Sequence, residues 1–171
     1  LFPESYIPGY PRGFSFGSAI GYRERVGREL YLRYWQNSLG RDDTDFQQLI
    51  HLAQTHQVYL IVGITERDTL TGSLYCTMWF FGPEGFLGKH RKLKPTGVER
   101  LVWGEGDGTD MEVYPTAIGR IGGLICWENY MPQARWKLYQ KGIQIYLAPT
   151  ADARPTWIST MQHIACESRS F

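Results

Sequence analysis

The sequence has few cysteines and almost no net charge. Its 171 residues include only Cys76, Cys126 and Cys166, and the formal net charge is +1. Three widely spaced cysteines are too few for a disulfide framework, and no CxxC or Cys/His spacing indicates a zinc site. A nearly neutral chain gives no reason to expect nucleic acid or an anionic membrane as a partner.

Long apolar runs are also missing from the sequence. The longest, residues 58–64, has the length of a strand, whereas a membrane-spanning helix needs about 18 apolar residues or more. No signal peptide is apparent, and the few cysteines are typical of a reduced protein, so we expect a cytoplasmic location. No repeat, linker or low-complexity tract divides the chain, and its length suits a single domain over residues 1–171.

The segment 121–148 has the pattern of a strand, a helix and a second strand joined by short links. Gly122 and Gly123 allow other backbone to approach the first strand. Asn129 can cap the helix, and Pro132 suits its first turn. The two strands of such a unit run parallel, and ligands bind beyond the carboxyl ends of parallel strands. Cys126 follows the first strand and is therefore expected at a binding site.

The remaining pattern predicts a layered α/β domain, because helices alternate with strands that are apolar on both faces. Helices are expected over residues 22–39, 46–53, 133–141 and 157–168. Strands are expected over residues 58–64, 73–81, 86–92, 111–114, 119–126 and 143–148. The long irregular stretch 93–109 is expected to be functional or mobile.

Cys126 is a candidate nucleophile. A thiolate is the reactive form of cysteine, and a nearby helix N-terminus or cation favours it. Because Cys126 lies just before a helix, we expect the helix dipole to favour its anion. Most cysteines are only small buried hydrophobic residues, and spacing alone leaves that role open. Cys76 and Cys166 fit the structural role better.

Acidic and basic residues elsewhere in the chain could complete a site. Glu4 precedes a rigid loop and could act as a general base, although its position alone fits a solvated loop acid better. The basic cluster over residues 89–94 is typical of a solvated face. On a strand, Lys92 and Lys94 would point to one side and Arg91 and Leu93 to the other, so one lysine could face inward. Its candidate partners are Glu99, Glu105 and Asp107.

Three motifs resemble those of the nitrilase branch of the carbon–nitrogen hydrolase family, and the likeness covers essentially the whole chain. They are Phe-Pro-Glu ending at Glu4, Gly-Lys-His-Arg-Lys-Leu-Lys-Pro-Thr over residues 88–96, and Cys-Trp-Glu-Asn-Tyr-Met-Pro over residues 126–132. The Cys-Trp-Glu-Asn sequence is more typical of true nitrilases than of the amidase branches.

The resemblance implies a four-layer αββα sandwich with a Glu-Lys-Cys triad. The triad matches Glu4, Lys92 and Cys126, and a further family glutamate matches Glu99. The Cys126 thiolate would attack a nitrile carbon, Glu4 would take the thiol proton, and Lys92 would stabilise the negative charge on nitrogen. A thioimidate and then a thioester would give the carboxylic acid and ammonia, and no metal or organic cofactor is implied.

Other functions remain open beside this one. The same triad would serve a cyanide-degrading enzyme or an amide or carbamoyl hydrolase, and a non-catalytic fragment could use the fold for binding or assembly. Several aromatic residues could form a substrate pocket, although an aromatic core would give the same pattern. They are Trp103, Trp127 and Tyr130, with Tyr6 and Trp157 as further candidates.

The resemblance also carries expectations about the whole protein. Besides a small-molecule nitrile, it implies a homo-oligomer, a dimer or larger assembly that could extend into a spiral filament. Full-length family members have a strand and a helix before the position of Phe2 and further strands after that of Phe171. The chain is therefore expected to be incomplete at both ends.

Overall fold

The computed structural model describes residues 1–171, apart from the side chain of Arg23. The helical and hairpin elements of the first part are β1 (Ser18–Ala19), β2 (Tyr22–Arg23), α1 (Arg25–Gln36) and α2 (Thr44–His56). One antiparallel sheet then contains, in spatial order, β3 (Leu60–Arg67), β4 (Leu74–Gly82) and β5 (Gly85–Arg91). A second sheet contains, in spatial order, β6 (Tyr114–Thr116), β7 (Gly119–Gly123) and β8 (Ile145–Leu147). The remaining helices are α3 (Pro132–Gln140) and α4 (Thr156–Ser168).

Side chains of β4 alternate between two apolar cores. Met78 and Phe80 pack with Ile121 of β7, in a core that lies between the two sheets. Trp79 and Phe81 point to the opposite face and pack with Phe46 of α2. Both faces of the strand are therefore buried, as its nearly continuous apolar sequence requires.

A third core lies between the second sheet and α3. Ala134 and Leu138 of α3 pack with Leu124, which follows β7, and with Ile143, which precedes β8. The order of layers is thus α2, first sheet, second sheet and α3. This order confirms the predicted four-layer αββα arrangement.

The strand–helix–strand unit also has the predicted form, because β7 and β8 are parallel around α3. Gly123 lies opposite Leu147, where a Cβ atom would be 2.0 Å from the Leu147 carbonyl oxygen. Only glycine permits that approach, which was expected from the sequence.

The predicted strand over residues 111–114 is wrong. The strand begins at Tyr114, and Met111 and Val113 contribute to the core beneath α3 from irregular backbone. Alternating apolar residues in this segment therefore report burial and not strand pairing. The irregular stretch 93–109 contains one short 3-10 turn, Gly97–Leu101.

None of the helices in the described part of the chain is both long enough and apolar enough to cross a membrane.

Candidate active site

A cavity of about 730 Å³ opens where four connecting segments meet. They are the first residues of the chain, the stretch after β5, the turn after β7 and the loop after β8. Residues that line the cavity include Glu4, Tyr10, Glu99, Cys126, Trp127 and Arg154.

Glu4 reaches the cavity because its segment runs close beside β3. The Phe2 and Tyr6 amides donate to the carbonyls of Ile61 and Gly63, both at 2.8 Å. A Cβ atom on Gly63 would lie 2.0 Å from the Pro3 carbonyl oxygen, so this approach requires glycine.

The Glu4 carboxylate is buried, and both of its oxygens accept hydrogen bonds. Its side chain has 0% exposure, and Oε2 accepts a hydrogen bond of 3.0 Å from the Ala151 amide. The Cys76 thiol lies 3.6 Å from Oε1 as a donor, and its burial raises the pKa of Cys76 well above the ordinary value. Cys76 is thus a protonated neighbour of the site at neutral pH, in keeping with its expected structural role.

Lys92 follows β5 and is fully buried. Its Nζ donates to Glu4 Oε1 at 2.6 Å and to Glu99 Oε2 at 2.8 Å. Burial alone would lower the pKa of Lys92, but these two carboxylates raise it above its ordinary value. Lys92 is therefore an ammonium held between two buried carboxylates.

The neighbouring Lys94 lies in a different environment. It is half-exposed and forms an ion pair with Glu105. The sequence had placed Lys92 and Lys94 on the same side of a strand, but β5 ends at Arg91 and the two side chains diverge. Of the candidate partners proposed from the sequence, Glu99 contacts Lys92 and Glu105 contacts Lys94.

Glu99 is held by local turn structure. It is the third residue of the turn Gly97–Leu101, and its Oε2 accepts the Thr96 amide at 2.6 Å. This is half of a capping box, and the Thr-x-x-Glu spacing is a signal that the sequence reasoning overlooked. Tyr10 also went unrecognised, although its hydroxyl donates to Glu99 Oε1 at 2.6 Å.

Cys126 begins the 3-10 turn Cys126–Tyr130 with φ near +50°, a strained conformation for a residue other than glycine. Its amide donates to the Pro149 carbonyl at 2.9 Å, and its Sγ accepts from the Thr150 hydroxyl at 3.1 Å. These contacts hold the sulfur at the cavity wall.

The expected helix-dipole effect on Cys126 is wrong. Burial and the negative charge of Glu4 raise the pKa of the Cys126 thiol to about 11, although Thr150 and Lys92 oppose the rise. The thiol is therefore protonated at neutral pH and needs a base before it can react. The expectation required a helix directly after Cys126, but α3 begins only at Pro132, and a helix dipole acts mainly within the first turn.

Asn129 does not cap α3, contrary to expectation. Met131 occupies the N-cap position, and the Asn129 amide instead donates to the carbonyls of Leu124 at 2.9 Å and Cys126 at 2.8 Å. Its Oδ1 accepts from the Tyr146 hydroxyl at 2.8 Å. Asn129 thus braces the turn that carries the cysteine.

Only part of the expected aromatic pocket is present in the described residues. Trp127 lines the cavity, but Trp103 is buried between the sheets, where its ring meets Tyr10 edge-on at 5.7 Å. Tyr130 packs against Trp127 at 5.3 Å and bonds Thr160, outside the cavity lining. Trp103 and Tyr130 are therefore corrected to packing residues.

The carbon-nitrogen hydrolase family profile matches residues 1–171, so the chain belongs to this family. Within it, the chain is 49% identical over 172 residues to a nitrilase of Bradyrhizobium diazoefficiens and to nitrilase 2 of Arabidopsis thaliana. These alignments cover 100% of the chain and 53% and 50% of the two relatives. The chain thus spans about half the length of the curated relatives it matches.

Solved structures show the same fold. Nit3 of Saccharomyces cerevisiae, a member of branch 10 of the nitrilase superfamily, matches with a TM-score of 0.67 and 25% identity, over 75% of this chain and 48% of that one. The glutamine-dependent NAD+ synthetase of Acinetobacter baumannii matches with a TM-score of 0.69 and 18% identity, over 99% of this chain and 30% of that one. The second likeness concerns the fold alone.

Proposed function

We propose that the full-length protein is a nitrilase, which hydrolyses a nitrile to a carboxylic acid and ammonia without a metal or organic cofactor. The observation that carries the proposal is the pairing of Lys92 with Glu4 and Glu99 beside a cavity that Cys126 also lines. The 49% identity to nitrilases over the whole chain supports the same substrate class.

Cys126 supplies the nucleophile and Glu4 the general base. As Sγ bonds to the nitrile carbon, the thiol proton passes to Glu4 and one carbon–nitrogen π bond breaks toward nitrogen. The Lys92 ammonium stabilises the negative charge that develops there. The proton that Glu4 took from the thiol then passes to that nitrogen, which gives a thioimidate on Cys126 and restores the Glu4 carboxylate.

Water then adds to the thioimidate carbon, ammonia leaves, and a thioester remains on Cys126. A second water, deprotonated by Glu4, cleaves the thioester to the carboxylic acid and restores the thiol. Two waters are consumed for each nitrile. Glu99 keeps Lys92 charged and in place throughout, because it accepts a second hydrogen bond from Nζ beside the one that Glu4 accepts.

The name of one relative favours an amide as a second product. The chain is 49% identical over 172 residues to a relative from Lupinus angustifolius named a bifunctional nitrilase/nitrile hydratase. If the tetrahedral adduct of water expels the thiolate in place of ammonia, an amide is released. We therefore propose that some amide accompanies the acid.

The test is a substrate panel assayed with the full-length protein. Nitriles, the matching amides and cyanide are incubated separately, and ammonia, acid and amide are measured. Ammonia from nitriles with little from amides or cyanide supports a nitrilase, whereas the opposite pattern favours the amide hydrolase or cyanide-degrading alternative.

Cys126→Ala should abolish turnover, with Cys166→Ala as the matched control, because Cys166 is exposed on α4 and away from the cavity. Acid quenching during turnover should leave a substrate adduct on the Cys126 peptide that mass spectrometry detects. Appreciable hydrolysis by the Cys126→Ala protein would contradict the assignment of the nucleophile. No turnover by the wild-type protein would favour a non-catalytic role.

Cellular context and assembly form part of the same proposal. All three cysteines are free thiols, which suits a reducing compartment such as the cytoplasm. The family resemblance implies a homo-oligomer, and sedimentation of the full-length protein would measure its size.

A further inference from the structure

One buried carboxylate outside the cavity lining joins two segments that carry site residues. Glu128 is 0% exposed, and its Oε1 accepts a hydrogen bond of 2.6 Å from the Leu93 amide. Its Oε2 accepts one of 2.6 Å from the Ile125 amide. Leu93 directly follows Lys92, and Ile125 directly precedes Cys126. A single side chain therefore ties the backbone beside the ammonium to the backbone beside the thiol.

Local sequence explains how Glu128 bridges these segments. It is the third residue of the turn Cys126–Tyr130, and a glutamate at that position reaches back to the N-cap amide, here that of Ile125. Two carboxylate oxygens offer about four acceptor sites, so capacity remains for a donor from another segment. The Leu93 amide is that donor.

His90 is the charged partner of the Glu128 carboxylate. This residue of β5 is 2% exposed, and its Nε2 lies 3.0 Å from Glu128 Oε2. Its Nδ1 lies 3.0 Å from Asp110 Oδ1, and Asp110 Oδ2 accepts the Arg91 amide at 2.9 Å. A buried carboxylate without a partner is strongly destabilising, so His90 makes the burial of Glu128 tolerable.

We propose that Glu128, supported by His90, is a positioning residue that sets the placement of the Lys92 ammonium relative to the Cys126 thiol. The inference rests on the proposed thiol chemistry. Glu128 acts through backbone amides, because its two oxygens are held by the Leu93 and Ile125 amides and by the His90 ring. A misplacement of about 1 Å in a reacting group can lower a rate by about 100-fold.

Glu128→Gln in the full-length protein is the direct test. Glutamine keeps the size of the side chain, but its NH2 group cannot accept a hydrogen bond, so one of the two amide bonds is lost. We expect kcat for nitrile hydrolysis to fall by about 10- to 100-fold. KM should change by less than about 3-fold, because the residues that line the cavity are unchanged.

Alkylation by iodoacetamide provides a readout that needs no substrate. Lys92 lowers the pKa of Cys126, so a displaced ammonium leaves less thiolate to react. The rate at Cys126, followed by peptide mass spectrometry with exposed Cys166 as internal reference, should fall by about 5-fold or more. This comparison remains informative even if nitriles are not the substrates, which separates this inference from the proposed function.

Leu138→Ala is the matched control for stability. It removes a fully buried side chain beneath α3, so it lowers the melting temperature without touching Glu128 or His90. It should retain kcat and the Cys126 alkylation rate. If Glu128→Gln behaves in the same way, with only its melting temperature lowered, the positioning role is wrong.

His90→Gln keeps the inference testable if Glu128→Gln does not fold. This variant leaves Glu128 and both amide donors in place but removes the charged partner. Loss of kcat and of Cys126 alkylation by several-fold would support positioning. Wild-type values for both would overturn it.

Discussion

Two lysines that are two residues apart differ in burial, charge environment and expected role. Lys92 is fully buried between Glu4 and Glu99, whereas Lys94 is half-exposed beside Glu105. Lys92→Ala should lower kcat by about 100- to 1,000-fold, the usual effect of removing a donor that stabilises developing negative charge. It should also destabilise the fold, because two buried carboxylates lose their cation.

Steady-state kinetics of both variants, with melting curves to confirm folding, check this prediction. Lys94→Ala should change kcat by less than about 2-fold, since exposed ion pairs contribute little. Equal losses in the two variants would mean that the wrong lysine has been assigned.

Glu4 raises the pKa of the very thiol that it is proposed to deprotonate, so its removal should have opposite effects on two measurements. Glu4→Gln removes the negative charge that helps to raise the pKa of Cys126 to about 11. Alkylation of Cys126 at pH 8 should therefore become faster, because more thiolate is present. Turnover should fall by about 100-fold or more, because the general base is lost.

Peptide mass spectrometry for alkylation and an ammonia assay for turnover measure the two effects on one preparation. The Cys166 peptide serves as a reference for reagent and protein concentration. A Glu4→Gln protein that turns over normally would exclude Glu4 as the base, and slower alkylation of Cys126 would contradict the expected effect of the Glu4 charge on the thiol pKa.

At the scale of single residues, sequence motifs identify candidate catalytic residues better than they predict the surroundings of those residues. Glu4, Lys92, Glu99 and Cys126 were all nominated from the sequence; in the structure Glu4, Glu99 and Cys126 line one cavity, and Lys92 is buried between the two glutamates. The pKa of Cys126 could not be predicted, because it depends on burial and on a carboxylate 122 positions away in the chain. Trp103 and Trp127 look alike in sequence, yet one is core and the other lines the cavity.

Among the connecting segments, the one that carries Glu4 depends on a glycine in β3. A Cβ atom at Gly63 would lie 2.0 Å from the Pro3 carbonyl oxygen and 2.9 Å from the Glu4 Cα atom. Gly63→Ala should therefore push this segment away from β3 and move the Glu4 carboxylate. We expect kcat to fall by about 10-fold or more and the melting temperature to drop.

Gly40→Ala is the matched control for Gly63→Ala. A Cβ atom at Gly40 would meet its neighbours at 3.5 Å or more, which is ordinary contact. Kinetics and thermal melting of both variants should show loss only for Gly63→Ala. If both variants keep wild-type kcat, the close approach at Gly63 is not what places Glu4.

The secondary-structure elements themselves were largely predictable, since each needs only local periodicity. Helix α2 and strands β3 and β4 fall within a few residues of their predicted positions. The segment before Tyr114 was not predictable, because its apolar residues pack beneath α3 without a strand to pair with. The role of Asn129 was also missed, since its partners Leu124 and Tyr146 come from different elements.

At the scale of the whole molecule, two three-stranded sheets pack together with α2 and α3 on their outer faces, and periodicity alone could not have shown which faces meet. The apolar run 58–64 predicts a strand buried on both sides, but the packing of Met78 and Phe80 against Ile121 is a tertiary contact. The four-layer order was therefore predictable only through the family resemblance. The same limit applies to the buried contact of His90 with Glu128, which joins β5 of the first sheet to the turn that follows β7 of the second.

That contact should make the stability of the whole fold depend on pH. Burial alone would lower the pKa of His90, but Glu128 and Asp110 raise it to about 9. The ordinary value is about 6.5, so the folded state binds the proton more tightly than the unfolded state does. The stabilisation is complete below about pH 6.5 and is lost as the pH rises through 9.

Urea unfolding between pH 6 and 10 should therefore show the free energy of unfolding falling by on the order of 3 kcal/mol across this window. His90→Gln should be less stable at pH 6 and should lack most of the decline. His163→Gln is the matched control, because its side chain is mostly exposed on α4 and lies 3.8 Å from Glu167. A decline that persists undiminished in His90→Gln would show that other groups, and not the contact between the two sheets, set the pH dependence.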